Sequence, residues 1–122
     1  MLVRHAPAAR RDSGEWPDDD LRSLTTKGRK AFARAAMGVA AAAPETSLVL
    51  TSPTLRTRDT AALLAAALGL PWRKVRAVPF LHHAVPPRAA LAGLVALELP
   101  PDFALVGHEP NLGELASLLV AG

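Results

Sequence analysis

Short apolar runs alternate with stretches of helical periodicity along this chain, and that alternation restricts its fold more than any other feature. Met1 to Arg4 reads as a short strand, and residues 6–24 as a polar loop. Thr25 or Thr26 can cap a helix running to about Ala42, where Phe32, Ala35, Ala36 and Val39 recur at i, i+3, i+4 and i+7. Ser47-Leu48-Val49-Leu50 has the character of a buried strand. Ser52 and Pro53 open a second helix, the serine as cap and the proline in the first turn, and Gly69 before Pro71 ends it. Lys74 to Val78 forms a third strand, and a helix runs from Pro86 or Pro87 to about Leu99. Residues 103–106 form a fourth strand, and Pro110 begins a last helix to about Val120. The order β-α-β-α-β-α-β-α predicts an α/β fold of three layers, a mostly parallel sheet flanked by helices.

A length of 122 residues suits one domain over residues 1–122, and a composition half apolar fills its core. The absence of cysteine removes disulfides, thiolate metal sites and a cysteine nucleophile. The net charge of +3 is compatible with anionic ligands but too small to imply nucleic acid, and aromatic residues to stack on bases are scarce. No apolar stretch approaches the roughly 20 residues of a membrane helix. Arg4 interrupts any leader-like pattern at the start, so the expected compartment is the cytoplasm.

Three strand exits carry the chemistry. The first is Arg4-His5. Histidine can attack phosphorus, and a neighbouring guanidinium can hold two phosphoryl oxygens by parallel hydrogen bonds. The second is Ser52-Pro53-Thr54-Leu55-Arg56. A cation in the first turns of a helix opposes the helix dipole, and a bound anion would reverse that penalty. Otherwise Arg56 would pair with Asp59 or Asp20. Arg58 projects elsewhere, to the surface or a pocket rim. The third is Gly107-His108-Glu109-Pro110-Asn111, where the glycine permits close approach and His108 can donate to a phosphoryl oxygen. In a parallel sheet all such exits share one edge, where ligands bind.

In these segments, and in Arg22-Ser23-Leu24-Thr25-Thr26-Lys27-Gly28 and Thr60-Ala61, the chain resembles the histidine phosphatase superfamily, which is phosphoglycerate mutase-like in fold. Within it the likeness is to the small SixA-like phosphohistidine phosphatases, and it spans nearly the whole chain. The resemblance implies that His5 is the nucleophile and becomes phosphorylated. Arg4 and Arg56 would clamp the phosphoryl oxygens, and His108 would complete the pocket. Arg22 would either assist them or order its loop through Asp18–Asp20. The implied partner is a phosphorylated small molecule or a phosphohistidine protein.

No cofactor or metal is expected, because arginines and imidazoles neutralise the charge. His5 and His108 lack a third ligand at suggestive spacing, and the adjacent His82 and His83 would point apart if extended. Many relatives carry a carboxylate acid after the third strand. Here Val78 to Ala84 has none, which leaves Glu109, or else His82 or His83, to protonate a leaving group. Glu109 would alternatively cap the last helix. Short or missing edge strands are expected at the sheet's borders, and an unpaired edge would favour a homodimer. The alternative to an enzyme is a catalytically weak phosphate-binding or interaction domain derived from the same family.

Overall fold

Alternate residues of the two central strands serve two separate cores. The computed structural model describes residues 1–6, 8 and 19–121. Strands β1 (Leu2–Arg4), β2 (Leu48–Thr51), β3 (Val75–Ala77) and β4 (Phe103–Gly107) make one sheet in the order β1-β4-β2-β3, with all pairings parallel. Strand side chains point to opposite faces in turn. Val49, Ala104 and Val106 therefore meet Ala36, Ala61 and Leu64 of helices α1 (Thr26–Ala42) and α2 (Leu55–Leu68). Leu48, Leu50 and Leu105 meet Leu94 of α3 (Pro87–Val95) and Leu115 of α4 (Asn111–Ala121). This is the expected three-layer, phosphoglycerate mutase-like architecture. Both outer strands have only three residues.

The helix ends follow local chemistry. Thr25 is the N-cap of α1, accepting from the Gly28 N–H at 2.9 Å. Gly69 ends α2 with φ of 72°, a left-handed conformation that glycine adopts without a Cβ penalty. Three helix boundaries differ from expectation, by more than the fraying of an end or by the start of a turn. The second helix begins at Leu55 after Thr54, because Ser52 still belongs to the sheet edge and donates its N–H to the Val106 carbonyl at 3.0 Å. The third helix stops at Val95, and Leu99 beyond it packs on the core instead of extending the helix. The last helix begins at Asn111, one residue after Pro110.

No helix among the described residues is long and apolar enough to cross a membrane. Asp18 and most of the loop before it lie outside the described residues.

Strand register positions the future site. Arg4 lies opposite Gly107, and Thr51 opposite Val106. The residues that follow, His5, His108 and Ser52, therefore leave three adjacent parallel strands side by side. The His5 N–H donates to the Gly107 carbonyl at 3.1 Å and holds that alignment.

Two helix glycines should respond oppositely to alanine. A Cβ on Gly93 would lie 2.5 Å from the Phe80 ring, whereas one on Gly38 would meet nothing within 4 Å. Gly93→Ala should destabilise by about 1–3 kcal/mol through overpacking. Gly38→Ala should stabilise by about 0.5–1 kcal/mol. Urea unfolding of the two variants against the parent checks both signs.

Candidate active site

A hollow of about 940 Å³ opens at the carboxyl edge of the sheet, lined by residues that include Arg4, His5, Arg22, Arg56, His83, His108 and Glu109. Of the residues singled out from the sequence as site candidates, all but His82 thus line one hollow. A second hollow, beside α2 and β3, is lined by Arg58 together with apolar residues such as Leu70 and Trp72.

His5 is held from its backbone side. Its Nδ1 is 2.7 Å from the Ala6 carbonyl. A carbonyl only accepts, so Nδ1 carries the proton and Nε2 keeps its lone pair. The Ala6 N–H in turn donates to Thr60 Oγ1 at 3.0 Å, and that hydroxyl donates to the Arg56 carbonyl at 2.7 Å. Burial holds the His5 pKa below its usual value; the Ala6 contact opposes this, and the charges of Arg56, Arg4 and Arg22 add to it.

His108 is buried at the exit of β4, its ring 5.5 Å from that of His5. Nε2 lies 2.8 Å from Ser52 Oγ, and Nδ1 lies 3.5 Å from Arg56 Nη2. A guanidinium only donates, so Nδ1 offers its lone pair and Nε2–H donates to the serine. Burial first, and the Arg56 charge second, lower the His108 pKa to about 3. The ring is therefore neutral at ordinary pH.

Arg56, only 1% exposed, is a buried full charge and needs a partner. It donates through Nη1 to the Asp19 carbonyl at 2.8 Å and through Nη2 to Asp19 Oδ2 at 3.1 Å. Neither of the expected partners fills this role. Asp59 pairs with Arg29 at 3.1 Å, and Asp20 is turned to His82 and His83. The same Asp19 carboxylate lies 3.2 Å from Arg22 Nε. Arg22 thus both borders the hollow and orders its loop, with Asp19 as its partner. Arg4 is exposed at the hollow's edge.

His82 and His83 do not point apart. The chain turns at His82–Val85, where the Val85 N–H donates to the His82 carbonyl at 3.0 Å, and the two rings lie 4.1 Å apart with both Nε2 atoms on Asp20, at 2.8 and 3.2 Å. These three residues bring ligand-type atoms within 4.8 Å of one another. However, His82 Nδ1 accepts from the Ala84 N–H at 3.0 Å, so its Nε2 carries the proton. That tautomer is suited to donating to Asp20, not to holding a metal. Glu109 is exposed, and a Cβ on Gly113 in the first turn of α4 would lie 3.2 Å from its Oε2.

Sequence reasoning missed three roles at the site: Asp19 as the partner of Arg56, Ser52 as the partner of His108, and Asn111 as a tie between turn and helix. The Asn111 amide donates to the His83 and Val85 carbonyls at 3.0 and 3.1 Å and ties the His83 turn to α4. Ser52 had a detectable signal, since it directly follows a strand buried at every position.

Fold and hollow together define an α/β protein with a histidine- and arginine-lined hollow at the carboxyl edge of its sheet. Residues 1–78 match the model of the histidine phosphatase superfamily (branch 1). The chain belongs to that superfamily. It is 35% identical to an uncharacterised protein of Picosynechococcus sp., across 99% of this chain and 72% of that one. Among solved structures it is similar to the protein histidine phosphatase SixA complexed with tungstate, at 28% identity and a TM-score of 0.80, over 95% of this chain and 72% of the other. It also shares the fold of a mycobacterial glucosyl-3-phosphoglycerate phosphatase complexed with VO3, at 20% identity and a TM-score of 0.70, over 99% and 79% of the two chains.

The neutral state of His108 has a consequence for stability. Below the ordinary histidine value of 6.5 the unfolded chain takes up a proton that the folded protein resists down to about pH 3. Stability is complete above that value and declines as pH falls between the two. His5 contributes in the same direction. His108→Gln should therefore lose less stability than the parent between about pH 7 and about pH 4. Urea midpoints across that range measure the difference.

Proposed function

We propose that this protein is a phosphatase that passes a phosphoryl group to His5 and then to water. The observation that carries this reading is the convergence on one hollow of the His5 ring, whose Nε2 retains its lone pair, with Arg4, Arg22, Arg56 and His108. In the first step Nε2 attacks phosphorus and the bond to the leaving group breaks. Nδ1–H stays on the Ala6 carbonyl, which helps to stabilise the charge that develops on the phosphorylated ring. In the second step water attacks the phosphohistidine, the P–N bond breaks and phosphate leaves.

Arg4 and Arg56 bind the phosphoryl oxygens, with Arg22 assisting. Guanidiniums suit this role because their donors are fixed in a plane and never lose their charge. Neutral His108 accepts from Arg56 Nη2 through Nδ1 and so helps to aim that guanidinium at the phosphoryl oxygens. Glu109 lines the same hollow at its exposed rim.

The preferred substrate class is phosphohistidine in a protein. An imidazole leaves more readily than an alkoxide, which agrees with the lack of a carboxylate after β3. The likeness to SixA supports the same class, while the likeness to a sugar-phosphoglycerate phosphatase keeps small phosphomonoesters in view. The competing reading is a phosphate-binding or interaction domain without turnover.

Hydrolysis of a phosphohistidine peptide and of p-nitrophenyl phosphate separates the two. The parent should turn over at least one of them and retain label on His5 after an alkaline quench, under which the P–N bond survives. His5→Asn should remove both label and turnover. Binding without turnover and without label would support the competing reading. Arg56→Lys keeps the charge but loses the fork, and should weaken phosphate or tungstate binding roughly 10- to 100-fold. Titration calorimetry measures this, and unchanged affinity would remove Arg56 from the phosphate site.

A further inference from the structure

We propose that His83 is the group that protonates the leaving atom, with Asp20 as the carboxylate that holds its ring. This rests on the phosphatase reading above.

The four histidines offer eight ring nitrogens, and six of them have partners among the described residues. His5 Nδ1 is on the Ala6 carbonyl, and both nitrogens of His108 are taken by Ser52 and Arg56. Both nitrogens of His82 are taken by Asp20 and the Ala84 N–H. His83 Nε2 faces Asp20 Oδ1 at 3.2 Å, with Asp19 Oδ2 at 3.6 Å. The two nitrogens left over are His5 Nε2 and His83 Nδ1. Both rings line the same hollow, and His108 lies against each of them, at ring separations of 5.5 and 5.1 Å. One lone pair can attack, and one ring nitrogen can move a proton.

The surroundings suit an acid. Asp19 and Asp20 back the ring on the Nε2 side and His82 stacks beside it. Asn111 fixes the His83 carbonyl, so the turn that carries the ring is tied to α4. Glu109, by contrast, is solvent-exposed and lies over the first turn of α4, where a carboxylate favours the helix dipole.

The chemistry balances. His83 starts with a proton on each nitrogen. As His5 Nε2 bonds to phosphorus, the P–O bond of an ester breaks, and Nδ1–H goes to the departing oxygen. An alcohol leaves and His83 becomes neutral. In the second step Nδ1 takes a proton from the attacking water as the P–N bond breaks. Phosphate leaves, and both histidines are back in their starting states.

Leaving-group dependence tests the role. Nitrophenolate departs without protonation, whereas an alkoxide does not. His83→Asn should lower kcat/KM for glycerol 2-phosphate by about 100-fold or more, and for p-nitrophenyl phosphate by less than about tenfold. Activity retained on the aryl ester also shows that the variant is folded, and His83→Gln should behave alike. Equal losses on the two esters, or no loss on the alkyl ester, would overturn the assignment. So would a selective loss in Glu109→Gln with none in His83→Asn. A parent that hydrolyses neither ester and takes no label on His5 defeats the phosphatase reading, and this one with it. A parent that hydrolyses both, with a uniform loss in both His83 variants, defeats this one alone.

Discussion

A guanidinium buried as deeply as Arg56 must be answered by an opposite charge, and Asp19 answers it. The contact is double, from the backbone carbonyl and the carboxylate, and it crosses from α2 to the loop before α1. Because Arg22 turns to the same carboxylate, two of the cations around the hollow are oriented by one residue. Removing one partner from such a buried group costs far more than the pair contributes, so the arrangement specifies geometry more than it adds stability. Asp20, next in the chain, holds His82 and His83 in the same way. One short acidic turn therefore connects the β2 exit, through Arg56, to the β3 exit, through His83.

The imidazoles divide by environment. His108 is sealed beneath Arg56 and Ser52, and burial keeps it neutral. His5 is only half-buried and is oriented by a backbone carbonyl. His83 is still more open, and its orientation comes from carboxylates. Identical side chains thus acquire different surroundings and different available atoms. Under the proposed function these become an electrostatic support, a nucleophile and an acid.

Much of the fold was legible from neighbouring residues. The Thr25 cap and the Gly69 stop act within a few positions along the chain, so local reading located both. Ser52 misled the same reading. A serine before a proline looks like a helix cap, but here the sheet claims its N–H and His108 claims its hydroxyl. The His82-His83 pair misled it too, since two adjacent side chains diverge only if the chain runs on extended, and it turns at His82–Val85 instead.

What the sequence determined by itself was the alternation of strands and helices, and with it the delivery of His5, Arg56 and His108 to one sheet edge. Periodicity and strand exits are properties of residues close together in the chain. The tertiary structure alone decided which carboxylate meets Arg56, which nitrogen of each histidine stays available, and that His83 joins the hollow. Those outcomes depend on contacts such as Asp19 with Arg56, 37 residues apart, and Asp20 with His83, 63 apart. With several acidic residues to choose from, composition cannot say which will be brought within hydrogen-bonding reach. Only the packing of the loops over the carboxyl edge of the sheet selects it.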